Sequence, residues 1–286
     1  MSEQSPSKDD QARREYWAEQ MQAGYDLIQE ILAYDEVEEC GEGFASIPEA
    51  AAEAGVEMWF SDSRIAGDLE RVFFMRESLV ADVITIGREM NERGWILKIE
   101  DGFRSKDMQS QLVRKPEVFD SILQKCLWEN GGELPSTEMV FRRAIVMIAN
   151  IPKIGTHMSG SAIDVSVFRR TDGLEVWRGF PYLEVSEHTP MRSPFVDDQA
   201  LANRLEITEM VEAHGFVHFP FEFWHFNKDD AMGHILIGKP GPAKYGPVHW
   251  DPETNSVTPY RDPLSPLNPL DQIEKEIEAA MARVRV

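Results

Sequence analysis

Apolar positions fall three or four apart over residues 9–33, where Trp17, Met21, Tyr25, Ile28, Ile31 and Leu32 line one side of a helix. That stripe needs cover, from the body of the protein or from a partner, so a homo-oligomer built through this helix is one reading of it. After the Gly- and Glu-rich stretch EVEECGEG, a second helical pattern runs from about Asp68 to Glu92 and stops at Gly94. The period then changes to two. Trp95, Leu97 and Ile99 alternate with Ile96, Lys98 and Glu100, a strand that runs into the turn signal Asp101-Gly102 and leaves Arg104 just past its end. Helical patterns return over Lys106 to Trp128 and Ser136 to Asn150, separated by Asn130-Gly131-Gly132. Ala162 to Phe168 and Leu174 to Phe180 flank Thr171-Asp172-Gly173 as a hairpin. A helix spans about Asp198 to His214, and Phe216 to Phe226 reads as a strand pair interrupted at Pro220.

This order of helices, strands, helix and strands predicts an α+β fold, a small antiparallel sheet with helices packed on it, over a doubly wound parallel one. Prolines and glycines crowd Lys239 to Asp271, predicting an irregular arm, and a short charged helix over about Leu270 to Arg283 closes the chain. The expected division is a helical N-terminal extension over 1–60, a main domain over 61–238, and a Pro/Gly-rich arm with a C-terminal helix over 239–286.

Composition narrows the function classes. Fifty Asp and Glu against 29 Lys and Arg give a net charge of -21, a field that repels phosphate backbones and anionic lipid, so neither nucleic acid nor membrane is expected as a partner. The opening MSEQSPSKDDQARREYW lacks a basic segment followed by an apolar run, and a cytoplasmic location is the expectation. Cys40 and Cys126 show no C-x-x-C spacing, which excludes a disulfide framework or a thiolate zinc site within the chain. Any metal must be held by histidines and carboxylates. Neither a Walker loop nor a dinucleotide glycine fingerprint occurs.

Three segments combine ligating or catalytic side chains with turn residues: Gly102 to Ser105, His157 to Asp164, and Glu222 to His225. Acidic residues are so abundant that an acid three positions before a histidine means little alone. Context adds the signal. His157 stands just before Gly160 and Asp164 lies in an alternating strand, so a turn at Gly160 can fold both donors toward one point across six intervening residues. His225, from a distant segment and flanked by Phe223, Trp224 and Phe226, is the third donor. Two imidazoles and one carboxylate leave a fourth tetrahedral position open, which hydrolytic zinc needs to bind and acidify water. Glu222 is the candidate general base. Residues three apart on a regular strand face opposite sides, so its convergence with His225 requires the strand to end, twist or bulge near Phe221. Of the remaining histidines, His188, His214, His218, His234 and His249, the nearest rival for the metal is His218, which with Glu222 flanks Pro220.

The segment Thr156-His157-Met158-Ser159-Gly160-Ser161-Ala162-Ile163-Asp164 resembles the H-x-x-G-x-A-x-D zinc motif of the D-alanyl-D-alanine dipeptidase and carboxypeptidase family. Glu222-Phe223-Trp224-His225 resembles its E-x-W-H element, and Asp101-Gly102-Phe103-Arg104 is similar to its D-x-Y-R segment, a pattern nearest to the VanX-type dipeptidases. The resemblance covers roughly residues 60–235. It implies an α+β zinc peptidase core with one zinc ion per chain at the sheet, held by His157, Asp164 and His225. It further implies Glu222 as catalytic base, Arg104 as stabiliser of the oxyanion, and a small peptide, D-alanyl-D-alanine, as substrate. Two positions depart from the pattern. Gly155 stands where the family has a serine, which bears on how the substrate's end is recognised, and Phe103 replaces a tyrosine. Three alternatives stay open: a D,D-carboxypeptidase, a cell-wall peptide hydrolase with an open groove, and a non-catalytic protein braced by zinc. Three ligands plus a base, in place of four ligands, favour catalysis.

Overall fold

A computed structural model describes residues 8–284; residues 1–7, where the polar opening of the chain was read, lie outside the described residues. Helix α1 (Lys8–Ala33) forms where the apolar spacing predicts it and buries Trp17, Met21, Ile28 and Ile31 inside the chain. Then follow β1 (Phe44–Ser46), α2 (Ile47–Ala54), β2 (Met58–Phe60), β3 (Phe74–Arg76) and α3 (Glu77–Glu92). Helix α3 starts later than the pattern from Asp68 suggests, because Phe74, Met75 and Arg76 pair antiparallel with β1. Strand β4 (Trp95–Asp101) is the expected one.

The helical pattern after β4 breaks into α4 (Lys106–Arg114) and α5 (Pro116–Glu129). Pro116 cannot donate an N–H and drives Lys115 to φ -59, ψ 123, outside the helical region. Next come α6 (Thr137–Ile148), two 3-10 turns at Pro152–Ile154 and Thr156–Ser159, and β5 (Ala162–Arg169). The expected second strand of a hairpin over 174–180 is reduced to one bridge, Phe168 to Glu175, because the chain turns inward and buries Arg178 against the Ser166 hydroxyl at 3.1 Å. Helix α7 (Asp198–Glu212) precedes β6 (Val217–His218), β7 (His225–Asn227) and a short α8 (Ala231–Ile237) that the sequence pattern does not announce. The segment expected to be an irregular arm contains a hairpin, β8 (Val248–Asp251) with β9 (Ser256–Pro259), whose turn holds Asn255 at φ 53. The chain ends in α9 (Leu270–Val284).

The fold is α+β, with the main sheet in the order β2-β4-β5-β7-β6. It is antiparallel except at one edge, where β2 runs parallel to β4. Alternation sends Ile163, Val165 and Val167 of β5 into a core with Val83 and Ile86 of α3 and Ile207 of α7, so Asp164 faces the other side. Strict alternation along β4 would put Asp101 on the same face as Leu97 and Ile99. A bulge between Ile99 and Asp101 shifts the register and sets Asp101 opposite Asp164. His225 is in turn the partner of Asp164 on β7. Asp101, Asp164 and His225 thus form a row across three strands.

The segments expected as extensions are packed onto this body. Trp17, Met21 and Ile28 of α1 share a cluster with Ile145 and Val146 of α6, and Ile273, Ile277 and Ala280 of α9 pack with Phe119 and Ile122 of α5 and Val140 of α6. Among the described residues, no helix is long and apolar enough to cross a membrane.

Candidate metal centre

Three donors arrive by three routes. Asp164 and His225 are register partners on β5 and β7. His157 comes from the 3-10 turn before β5, which Gly160 ends at φ 70. A Cβ at Gly160 would lie 2.1 Å from Cε1 of Phe44, so this turn needs glycine for both its backbone angle and the close approach of that ring. Buried Arg76 fixes the same turn, donating from Nε to the Ser159 carbonyl at 2.6 Å. Ligating atoms of His157, Asp164 and His225 all lie within 4.8 Å of one another, and all three residues are buried.

The nitrogens facing the aspartate follow from their other partners. Nδ1 of His157 is 2.7 Å from the Gly102 carbonyl, which can only accept, so the proton sits on Nδ1 and Nε2 turns to Asp164 Oδ1 at 3.2 Å. Nε2 of His225 meets the Thr156 hydroxyl at 2.8 Å, and its Nδ1 faces the same Oδ1 at 2.9 Å. Ligands bonded at ~2.1 Å to a tetrahedral ion stand ~3.4 Å apart. The observed spacings are close to that, and two imidazole nitrogens with one carboxylate oxygen suit a zinc-like cation. The outward nitrogens are already held by a carbonyl and a hydroxyl, as ligating histidines require.

The other oxygen of Asp164, Oδ2, accepts from the Tyr182 hydroxyl at 2.9 Å and lies 3.4 Å from Nη2 of Arg104. Arg104 also donates from Nε to Asp101 Oδ2 at 2.7 Å, and Arg71 reaches the same Asp101 oxygen at 2.9 Å. Burial disfavours the Asp164 charge, yet the charges of His157 and His225 and their hydrogen bonds hold its carboxyl well below the usual range. Burial lowers His225 toward its neutral form against the pull of Asp164. Burial also weighs against the charge on Arg104, but Asp101, Asp164 and Tyr182 outweigh it and the guanidinium stays charged.

Glu222 lies in the turn between β6 and β7, half-buried, with its N–H on the Phe219 carbonyl at 3.3 Å. The strand therefore ends at His218, the chain turns through Pro220 and Phe221, and strand resumes at His225, the distortion that convergence of Glu222 with the cluster demands. Burial and the Asp164 charge push its carboxyl well above the usual range, and Arg104 partly offsets this. Glu222 and Arg104 line one cavity of about 300 Å³ together with His157, Asp164 and His225. Its walls include Trp17 and Met21 of α1 and Ile145 of α6.

All five residues singled out in the sequence thus border one cavity. His218 is turned away and pairs through Nδ1 with Glu212 at 2.7 Å; His214 bonds Glu89 at 3.0 Å, His188 stacks on Phe180, and His249 packs edge-on to Tyr260. Tyr182, Arg71 and Thr156 were not anticipated as site residues. Thr156 had a signal, its place beside His157, whereas Tyr182 sits in a segment without a periodic pattern and Arg71 in one read as helix.

Residues 133–239 match the model of a family described as D-ala-D-ala dipeptidase. The stretch holds His157, Asp164, Glu222 and His225; Asp101 and Arg104 lie upstream of it. This match supports a metallopeptidase. No curated protein matches the chain.

Proposed function

We propose that the protein is a zinc-dependent peptidase that hydrolyses a small peptide, with D-alanyl-D-alanine as the first candidate. The observation that carries this reading is the convergence of His157, Asp164 and His225 on one point of a cavity that Glu222 and Arg104 also border. Bound by those three residues, zinc would supply a Lewis acid and an acidified water. The remaining work falls to side chains. Glu222, with its carboxyl pushed upward, is suited to take a proton from water and pass it to the leaving amine. Arg104 keeps its charge, and N–H groups of its guanidinium beyond those turned to Asp101 and Asp164 can face the oxygen on which negative charge develops.

A dipeptide is favoured over a longer chain by the place of α1, whose Trp17 and Met21 form part of the cavity wall. The test is release of D-alanine from D-Ala-D-Ala, measured beside L-Ala-L-Ala and a longer D-terminal peptide, with and without a chelator. Glu222→Gln should lower kcat by about 10²–10⁴-fold while bound zinc stays at one per chain by metal analysis. Full activity in that variant, or chelator-resistant turnover, would exclude this reading.

A further inference from the structure

Recognition of the substrate's end needs a group in the cavity wall, and Gly155 occupies the wall where the resembling family has a serine. A Cβ there would press on Met158 and on the Pro152 carbonyl at 3.0 to 3.3 Å, so the position is closed to a side chain unless its neighbours give. The charged groups of the wall can be sorted by their partners. Arg104 pairs with Asp101 and Asp164 and, on the peptidase reading, turns its remaining N–H groups to the developing oxyanion. His157, Asp164 and His225 form the cluster, and Glu222 faces it. Glu117 and Glu184 are acids. Lys115 is left, with no ion pair or side-chain hydrogen bond among the described residues, although the chain carries 50 acidic residues to 29 basic ones.

Lys115 joins two helices, as the C-cap of α4 and the N-cap of α5, where it makes no side-chain cap bond. A cation is favourable at the C-terminal end of α4 and unfavourable at the N-terminal end of α5, so the two helix ends offset one another. Its backbone is fixed: the N–H donates to the Leu112 carbonyl at 3.2 Å, and its own carbonyl accepts from Val118 at 3.0 Å and Phe119 at 2.9 Å. The side chain thus moves only on its own stem, and Leu112, Val118 and Ile148 line the same cavity. The charge of Lys115 stands in the cavity wall without a partner among the described residues.

We propose that Lys115 is a specificity-determining residue that binds the free carboxylate at the C-terminal end of the substrate. The inference rests on the peptidase reading for the identity of the substrate. It explains how a wall that also presents Glu117 and Glu184 can accept an anionic end: Lys115 supplies the unpaired positive charge.

Kinetics of wild-type protein, Lys115→Met and Lys115→Arg on D-Ala-D-Ala and on its C-terminal amide test it. Lys115→Met should raise KM for the free dipeptide about tenfold or more with kcat within about twofold, Lys115→Arg should recover most of the loss, and the amide should be indifferent to both. An unchanged KM, or an equal rise for the amide, overturns the proposal. Calorimetric binding of D-Ala-D-Ala to the zinc-loaded Glu222→Gln protein, with and without Lys115→Met, separates the two claims. Binding weakened about tenfold by Lys115→Met while wild-type protein turns over neither peptide sinks the peptidase reading alone. Turnover with equal binding, or no measurable dipeptide binding at all, sinks the role of Lys115.

Discussion

Asp164 divides its oxygens between two tasks. Oδ1 is shared by the two imidazoles, and Oδ2 is gripped by Tyr182 and Arg104. Tyr182 meets the donor cluster through Asp164 Oδ2, so its effect on a cation is exerted through the carboxylate it orients. Such an outer partner is worth about 10–100-fold in metal affinity. Tyr182→Phe should therefore weaken zinc binding by about that factor in a chelator competition. An unchanged affinity would show that Arg104 alone suffices. At this scale the motif residues were legible because histidine, aspartate, glutamate and arginine are chemically distinctive types, and Gly102 and Gly160 mark turns beside several of them. Tyr182 was not, since it lies 18 residues beyond Asp164 in an irregular segment, and only the folded path of that segment brings the hydroxyl back.

Elements were legible where they were long. The stripes of α1 and α9 and the alternation of β4 are periodic over enough residues to be read. Strands of three residues, such as β1, β2 and β3, offer no period, and they pair with strands far along the chain, β1 with β3 and β2 with β4. The break at Lys115-Pro116 was visible in principle, because proline forbids the helical pattern drawn through it. Asp229, between β7 and α8, ties the later segments to the sheet: its carbonyl accepts from Lys244 at 2.9 Å and Tyr245 at 3.2 Å, and its carboxylate pairs with Lys239 and Lys244. Burial resists its ionisation, but Lys239, Lys244 and Lys228 prevail and hold it below the usual carboxylate range. A carboxyl depressed in the folded state stabilises above its unfolded value of about 4, and that contribution is lost as pH falls through the folded value. Asp229→Asn tolerates the same left-handed backbone, φ 58, and should flatten the decline of Tm below about pH 4. Parallel Tm curves for the two proteins would contradict that role.

Across the whole molecule, the ends of the sequence close around the middle. Buried Arg76 binds Glu39 through both terminal nitrogens at 2.9 Å and the Glu42 carbonyl at 2.6 Å while holding the turn that carries His157. Composition foretold the anionic character, a net charge of -21, but gave no hint of this long-range cross-tie, which depends on a single arginine. Because Trp17 and Met21 form part of the cavity wall, whatever fills that space also rests against the opening helix. Occupancy should consequently be felt far from the chemistry: backbone amides around residues 17–28 of α1 should exchange with deuterium more slowly once a non-hydrolysed peptide is seated, and identical exchange with and without it would mean that the helix is a bystander. A helix that shared its stability with the cavity's occupant in this way would register that occupant as well as support the fold.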